Sequence, residues 1–309
     1  MTQTKTMIDF KRIELSDKPL YDSYLEKETG RGCEFSFANL YLWGRQSFAE
    51  VHGHIVIFSQ FNRRSVYPYP LGSGDKKAVL DAIIEDSKAR GIPCRITGVN
   101  AEGRRTIEEL YPERFRFHCD EGAFDYVYSI DDLAELVGKK YHAKRNHLNR
   151  FYESYPNYFV EPLCDTNIEK VKKMVSEWYE DKLAADPNGD YYMEKAAIER
   201  AFRDYKALHM DGLVLLDGET VLAVTLGGKL SSDTFDVNFE KARAGVNGAY
   251  AAINNEFAKY IRKKYPNIKY LDREEDMGLE GLRKAKRSYY PHHMTEKCWA
   301  CLLEDGYDY

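Results

Sequence analysis

The chain has 309 residues, of which 43% are hydrophobic and 31% are charged, with a net charge of -5. This length suits two hydrophobic cores, and so small a net charge does not by itself indicate a nucleic-acid or membrane partner. No apolar run approaches the ~18 residues of a membrane-spanning helix, so we expect no membrane span. The N-terminal segment MTQTKTMIDFKRIEL has no apolar stretch after its lysines. We therefore expect no signal peptide and a cytoplasmic location.

The first half of the chain alternates between helix and strand patterns. In chain order we predict a helix at 17–28, a short helix at 35–44, a hairpin that turns at His52-Gly53, a loop at 67–75, a helix from Asp75 to 88, a strand at 94–99, a helix at 101–111 and two extended segments within 115–129.

The second half shows the same alternation of helix and strand patterns more clearly. We predict helices at 132–137, 139–155, 168–182 and 193–208, a three-stranded meander at 212–241, a glycine loop at 242–248, a helix at 249–264, a strand at 268–274, a helix at 278–289 and a last strand at 297–303. This order matches the GNAT acyltransferase fold. We therefore predict a mixed α/β fold (α+β) with two tandem GNAT-like domains, 1–135 and 136–309, each a central mixed β-sheet flanked by helices.

Six cysteines are spread over the whole length, which is typical of a reduced cytosolic protein. Cys298-Trp-Ala-Cys301 has the spacing of a metal-binding pair, and His292 and His293 precede it. Because the stretch is apolar and no second ligand pair is near, we interpret these cysteines as buried thiols on a C-terminal strand. A zinc site is the alternative, and we predict no metal.

The glycine loop is the most informative motif. Gly245, Asn247 and Gly248 lie between a predicted strand and the start of a helix, where backbone N–H groups are able to bind an anion. The pyrophosphate of coenzyme A or a nucleic-acid phosphate fits such a loop. The alternative is an ordinary connection in which the glycines only turn the chain.

A basic segment, KKYHAKRNHLNRF, occupies residues 139–151 and contains five Lys or Arg residues and two His residues but no acid. As a helix it places Lys144 on a stripe with other basic residues, next to Arg145. Such a face suits the phosphates of tRNA, coenzyme A or a lipid head group. A solvated basic face is the alternative.

Carboxylates follow the strand at 268–274, and a basic helix follows them. Glu275 or Asp276 is placed to position an amine nucleophile and accept its proton, and Asp236 on the neighbouring strand is placed to join them. The alternative is a solvated acidic run that pairs with the basic residues after it.

Four stretches together resemble the GNAT-fold C-terminal domain of phosphatidylglycerol lysyltransferases, a domain that also occurs as a stand-alone soluble protein. They are FANLYLWG, KKYHAKRNHLNRF, NGAYAAINNEFAKYI and LDREEDMGLEGLRKAKRSYYP. The resemblance implies a tandem GNAT fold and transfer of an acyl or aminoacyl group to an amine or a hydroxyl. In those lysyltransferases the donor is aminoacyl-tRNA and the acceptor is a membrane lipid. Matching the motifs points to Asn149, Glu275, Asp276, Arg283 and Lys286.

We therefore predict an acyl- or aminoacyl-transferase whose co-substrate is acyl-CoA or aminoacyl-tRNA, with no tightly bound cofactor. The predicted catalytic residues are Glu275, Asp276 and Asp236. The predicted donor-binding residues are Gly245, Asn247, Gly248, Lys144, Arg145, Asn149, Arg283 and Lys286. The alternative function is a non-catalytic module that binds RNA or another anionic partner.

Overall fold

The computed structural model describes residues 7–28, 30–44, 46–61, 64–189 and 191–305. Residues 1–6 lie outside these ranges. The expectation that there is no signal peptide depends in part on them. The chain forms two compact units. The first contains the chain up to Asp125, the segment Glu275–Leu279 and the chain from Met294, and the second contains Tyr126–Glu274 and Glu280–His293.

The first sheet has seven strands in the order β1-β2-β3-β4-β5-β14-β6. Their bounds are β1 Lys11–Arg12, β2 Gln46–Val51, β3 His54–Phe61, β4 Arg64–Pro68, β5 Arg95–Val99, β6 Phe115–Cys119 and β14 Cys298–Leu302. The β4–β5 pair is parallel, and the other pairs are antiparallel.

The second sheet also has seven strands, in the order β13-β7-β12-β11-β10-β9-β8. Their bounds are β7 Asp125–Ser129, β8 Phe159–Pro162, β9 Asp211–Asp217, β10 Thr220–Lys229, β11 Thr234–Ala242, β12 Tyr270–Asp272 and β13 His293–Thr295. Strands β11 and β12 are parallel, whereas β8 to β11 form an antiparallel meander and β7 is antiparallel to β12. Both sheets are therefore mixed, as predicted.

Ten α-helices accompany the sheets among the described residues. They are α1 Lys18–Leu25, α2 Phe37–Trp43, α3 Lys76–Arg90, α4 Ala101–Leu110, α5 Ile130–Glu135, α6 His142–Ser154, α7 Ile168–Ala185, α8 Tyr192–Asp204, α9 Ala249–Lys264 and α10 Glu280–Arg287. Short 3-10 helices occur at Leu15–Asp17, Cys33–Phe35, Glu121–Ala123, Lys139–Tyr141 and Leu303–Asp305. None of the helices in the described ranges has the length and apolar character needed to cross a bilayer.

Local sequence explains where several helices begin. Ser36, Asp75, Asn100 and Ser129 each precede a helix and accept a hydrogen bond from a backbone N–H of its first turn. These side chains satisfy amide groups that have no partner within the helix. Helix α9 is different, because it begins after Gly248, which has no side chain to cap it.

The C-terminal strand β14 lies in the first sheet, between β5 and β6. The sequence predicts a single domain boundary, at residues 135/136, whereas the observed units are discontinuous. The physical reason is that strand β14 pairs with strands that precede it by about 180 to 200 residues, and its apolar sequence is compatible with either sheet.

Cys298 forms a disulfide bond with Cys119, which lies directly opposite it on β6. The prediction of a reduced thiol at position 298 is therefore wrong, because the two strands place the cysteine Cα atoms 4.3 Å apart. The zinc alternative is excluded for the same reason, since Cys298 Sγ is already bonded. Cys301 is a buried free thiol, as predicted.

Candidate functional site

Strand β11 separates apolar from polar side chains by simple alternation. Phe235 and Phe239 are buried on one face, and the ring of Phe235 lies 5.8 Å from that of Phe257 on α9. The alternating positions Asp236, Asn238 and Glu240 share the opposite face. The strand therefore presents a row of polar side chains that ends beside the glycine loop.

Glu240 is the last member of this row, and it pairs with Arg273, the residue directly after β12. Arg273 Nη2 donates to Glu240 Oε1 over 2.9 Å, and both side chains are largely buried. The second carboxylate oxygen, Oε2, is buried and has no hydrogen-bond partner among the described residues. One oxygen of Glu240 is thus fixed by Arg273, and the other retains an unused hydrogen-bond acceptor.

Two cations lie around the ring of Tyr289 beside this pair. The guanidinium of Arg273 is 5.3 Å from the ring centre, and Lys144 Nζ is 3.7 Å from it. Burial, with a further contribution from Arg273, lowers the pKa of Lys144 to about 8. Burial also raises the pKa of Tyr289 to about 12, so this phenol is neutral at physiological pH.

Lys286 fixes the backbone that carries Arg273. Its side chain is buried, and Nζ donates to the carbonyl oxygens of Arg273 and Glu274. The backbone carbonyl of Lys286 accepts from Tyr128 Oη over 2.9 Å. Lys144 and Lys286, both predicted from the sequence, are therefore brought together around Arg273 and Tyr289.

Asp236 lies deeper on the same sheet face and is fully buried. It is in parallel register with Asp272, which is also fully buried, and it accepts from Asn238 Nδ2 over 2.8 Å. Asp272 Oδ1 accepts the backbone N–H of Glu274 over 2.8 Å. Asp236 thus belongs to the polar row that leads to Glu240.

The glycine loop connects β11 to α9. Gly245 and Gly248 have left-handed φ values of +79° and +82°, and Gly245 and Asn247 are exposed. A Cβ at Gly248 would lie 2.6 Å from the carbonyl oxygen of His147, whereas no atom of the described residues lies within 4 Å of one at Gly245. Gly248 is therefore required both by its conformation and by the close approach of α6.

The other predicted donor-binding residues have different surroundings. Arg145 Nη1 donates to the backbone carbonyls of Leu136 and Gly138, so part of its guanidinium holds the chain before α6. Asn149 is exposed on α6, and Arg283 is half-buried on α10.

Glu275 belongs to the first unit, in a cluster centred on Lys297. Lys297 Nζ lies 2.6 Å from Asp125 Oδ1 and 3.3 Å from both Glu34 Oε2 and Glu275 Oε2. The Cys33 thiol lies 3.6 Å from the same ammonium group. Cys33, Glu34 and Asp125 have the donor atoms of a metal site, but the Lys297 ammonium supplies a positive charge among them.

Burial and the ammonium group act in opposite directions on this cluster. Burial raises the pKa of Glu34 to about 7 in spite of Lys297. Burial also raises the pKa of Asp125. Burial opposes ionisation of Glu275, but the charge of Lys297 together with the hydrogen bonds to the carboxylate outweighs it and lowers the pKa of that carboxyl. The carboxylates together keep Lys297 charged, because they raise its pKa against the effect of burial.

Asp276 is fully buried in the first unit and organises the loop that follows it. Its Oδ1 accepts the backbone N–H of Gly278 over 2.8 Å, and its carbonyl accepts that of Leu279. The predicted catalytic acids therefore lie in different units, with Asp236 in the second unit and Glu275 and Asp276 in the first.

Sequence reasoning missed Glu240, Arg273 and Tyr289 in the second unit. Glu240 continues the two-residue alternation of Asp236 and Asn238, so the strand pattern contained a signal for it. Another missed set is the partners of Glu275, namely Cys33, Glu34, Asp125 and Lys297. No sequence signal joins these residues, because up to 264 positions separate them.

Several known proteins resemble this chain. The crystal structure of a conserved protein of unknown function from Bacteroides thetaiotaomicron VPI-5482 has a TM-score of 0.91 and 38% identity, covering 96% of this chain and 100% of that one. The structure of L-PGS from Bacillus licheniformis has a TM-score of 0.68 and 14% identity, covering 93% of this chain and 92% of that one. The tandem GNAT-like fold predicted from the sequence is confirmed.

An uncharacterised protein of Mycoplasmoides gallisepticum is 24% identical over 181 residues, which are 57% of this chain and 56% of that protein. The match thus spans little more than half of this curated relative. The family model described as phosphatidylglycerol lysyltransferase, C-terminal, matches residues 27–301. With the match extending over most of its length, the chain belongs to the phosphatidylglycerol lysyltransferase C-terminal family.

Proposed function

We propose that the second unit is an aminoacyltransferase that moves an aminoacyl group from aminoacyl-tRNA to an amine or a hydroxyl. The observation that carries this proposal is Glu240, a buried carboxylate with one oxygen fixed by Arg273 and the other without a partner among the described residues. A general base needs this arrangement, because one oxygen sets its orientation and the other accepts the proton. Membership of the lysyltransferase family favours an aminoacyl ester over acyl-CoA as the donor.

The residues around Glu240 support a complete transfer step. The acceptor nitrogen or oxygen attacks the ester carbonyl carbon, and its proton passes to Glu240 Oε2. Negative charge then develops on the carbonyl oxygen, where the half-buried ammonium of Lys144 stabilises it. When the intermediate collapses, the bond to the ribose oxygen breaks and Glu240 returns the proton to that leaving hydroxyl.

Lys286 acts as a positioning residue in this scheme. Its ammonium binds the carbonyls of Arg273 and Glu274, so it holds the segment from which Arg273 reaches Glu240. Asp236 supports the same row of polar side chains through Asn238. Glu275 and Asp276 are assigned to the first unit, where Glu275 binds Lys297 and Asp276 binds the loop after it.

The glycine loop is assigned to a phosphate of the donor. Gly245 and Asn247 are exposed, and α9 begins without a side-chain cap, so its first amides are suited to an anion. The corresponding helix of the first unit, α3, already has the carboxylate of Asp75 on the N–H of Ala78. That N–H is therefore already occupied by a protein side chain, which favours the second unit as the donor site. Asn149 and Arg283 are proposed as further contacts to the donor.

A donor screen by thermal shift tests this proposal. We expect a non-hydrolysable aminoacyl-tRNA analogue to raise the unfolding temperature, and acetyl-CoA and long-chain acyl-CoA to have no effect. Lys144→Met should remove most of the shift. The matched control is Lys140→Met, because Lys140 is in the same segment but forms an exposed ion pair with Asp132 at 3.2 Å.

Two outcomes of this screen would overturn the proposal. Stabilisation by acyl-CoA alone would mean that the donor is an acyl-CoA and not an aminoacyl-tRNA. Equal, salt-sensitive binding of charged and uncharged tRNA, with no release of the aminoacyl group, would support the non-catalytic RNA-binding module instead.

A further inference from the structure

The first unit contains a polar group that is separate from both clusters described above. It lies where the parallel strands β4 and β5 end, a common position for ligands in sheets with parallel strands. Tyr69 directly follows β4, Lys76 is the first residue of α3, and His54 is the first residue of β3. Arg31 and Glu28 join them from the segment after α1.

Only some of the hydrogen-bond donors of the Arg31 guanidinium have an acceptor within this group. Its side chain is 7% exposed, and its Nε and Nη2 donate to Glu28 Oε2 over 3.0 and 2.7 Å. The guanidinium carbon lies 4.9 Å from the ring centre of Tyr69. Its remaining nitrogen, Nη1, is buried and has no hydrogen-bond partner in the part of the chain that the structure describes. A buried donor of this kind costs free energy unless a ligand accepts from it.

Lys76 adds a second cation close by. Its Nζ lies 5.2 Å from the ring centre of Tyr69 and donates to the carbonyls of Gly72 and Pro70 over 3.1 and 3.4 Å. No ion pair of Lys76 with a carboxylate occurs within the described ranges. Burial lowers its pKa to about 8 although Glu28 opposes the shift. The ammonium group therefore has no directly bonded carboxylate in the part of the chain that the structure describes.

The charges of this group do not cancel. Arg31 and Lys76 are cations, and among the described residues Glu28 is the one carboxylate bonded to either of them. It accepts from Arg31 through Oε2 and from the N–H of Gly72 through Oε1. Two further acids, Asp75 and Glu102, are exposed, so that water screens their charge. The buried part of the group thus has one uncompensated positive charge, which matches a carboxylate better than a doubly charged phosphate.

His54 specifies a second feature of the ligand. The residue is fully buried, and its Nδ1 lies 3.0 Å from the carbonyl oxygen of His52. Because a carbonyl only accepts, Nδ1 must donate, and Nε2 of the neutral ring is then an acceptor. Nε2 is buried without a partner among the residues described. A ligand that fills this place has to offer a hydrogen-bond donor.

We propose that Arg31, Lys76 and His54 form a binding site for a small carboxylate that carries an adjacent hydroxyl or amino group. The carboxylate accepts from Arg31 Nη1 and Lys76 Nζ, and the neighbouring donor binds His54 Nε2. Tyr69 provides the apolar wall against which both cations pack. The ligand class follows from the one uncompensated charge and the one unused acceptor.

Thermal shift and competitive labelling of the full chain test this site. Glycolate and glycine should raise the unfolding temperature, acetate should do so less because it lacks the donor, and inorganic phosphate should have no effect. Lys76→Met should abolish the shift. Lys77→Met is the matched control, because Lys77 is the next residue, is exposed and pairs with Asp81 at 2.6 Å.

Labelling of the unmodified protein gives an answer even if Lys76→Met does not fold. Limiting acetic anhydride at pH 8 should acetylate Lys76 more readily than Lys77, and glycolate at ten times its dissociation constant should reduce labelling of Lys76 about tenfold. Labelling of Lys76, measured relative to Lys77 in the same sample, that does not change in the presence of glycolate would overturn the proposal. A shift that persists in Lys76→Met, or that phosphate produces and glycolate does not, would overturn it as well.

Discussion

Lys144 is the residue whose charge state most directly affects the proposed site. Its Nζ lies 3.7 Å from the ring centre of Tyr289, and burial followed by the charge of Arg273 lowers its pKa to about 8. A lysine is charged below its pKa and neutral above it. Protonated Lys144 is therefore present at neutral pH and is lost at a pH where exposed lysines remain charged.

This shift predicts a pH dependence of donor binding. Affinity for an amide-linked aminoacyl-tRNA analogue should fall as the pH rises through about 8, because Lys144 loses its positive charge there. Lys144→Arg should move the loss to higher pH, since a guanidinium does not titrate in this range. Fluorescence titrations at constant ionic strength measure the dissociation constants.

Lys140→Arg serves as the control for this experiment, and its pH profile should follow that of the wild-type chain. An affinity that is constant between pH 7 and 9, or a Lys144→Arg profile identical to the wild type, would mean that Lys144 does not contact the donor.

The sequence predicts individual site residues where the pattern that indicates them is local, such as alternation along a strand. The alternation along β11 that predicts Asp236 extends to Glu240, so the same local pattern indicates both residues. Charge alone predicts Arg145 as a phosphate contact, yet its Nη1 donates to two backbone carbonyls. Charge shows which groups are able to bind an anion, whereas only the fold shows which backbone groups compete for them.

The contact between α6 and the start of α9 provides a test at the level of elements. Gly245 and Gly248 have nearly the same left-handed φ, but a Cβ at Gly248 would lie 2.6 Å from the His147 carbonyl oxygen. Gly245→Ala should lower the free energy of unfolding by about 1 kcal/mol, the cost of the backbone conformation alone. Gly248→Ala should cost about 1–3 kcal/mol more, because α6 has to shift.

Urea unfolding measures both variants, and Gly245→Ala is the internal control for the effect of φ. Equal losses of stability in the two variants would contradict the packing of α6 against the helix start described here.

The elements themselves were largely predictable, because hydrophobic periodicity and capping residues are local signals. The predicted helix from Asp75 corresponds to Lys76–Arg90 with Asp75 as its cap, and the hairpin turn at His52-Gly53 is observed between β2 and β3. The end of β4 was predicted as a loop, because its last residues begin a Tyr-Pro repeat. There Tyr67 pairs with Ile96 of β5, a parallel contact that no local pattern encodes.

At the scale of the whole molecule, both sheets have the same plan. Each has an antiparallel meander, a crossover helix, a parallel strand and an additional antiparallel strand beside it, β14 in the first sheet and β7 in the second. The order of elements predicted the tandem GNAT-like fold correctly. It did not predict that β14 joins the first sheet, or that Cys298 reaches Cys119, because strand pairing across 179 residues depends on the folded chain.

In the proposed aminoacyl-transfer step, Glu240 accepts the proton of the acceptor and returns it to the leaving hydroxyl. Single-turnover release of a labelled aminoacyl group from aminoacyl-tRNA, in the presence of amine and hydroxyl acceptors, measures that step directly. We predict that Glu240→Gln keeps its affinity for the donor analogue but transfers about 10²–10⁴-fold more slowly than the wild type. An unchanged rate in Glu240→Gln, with the wild-type chain active, would show that Glu240 is not the general base.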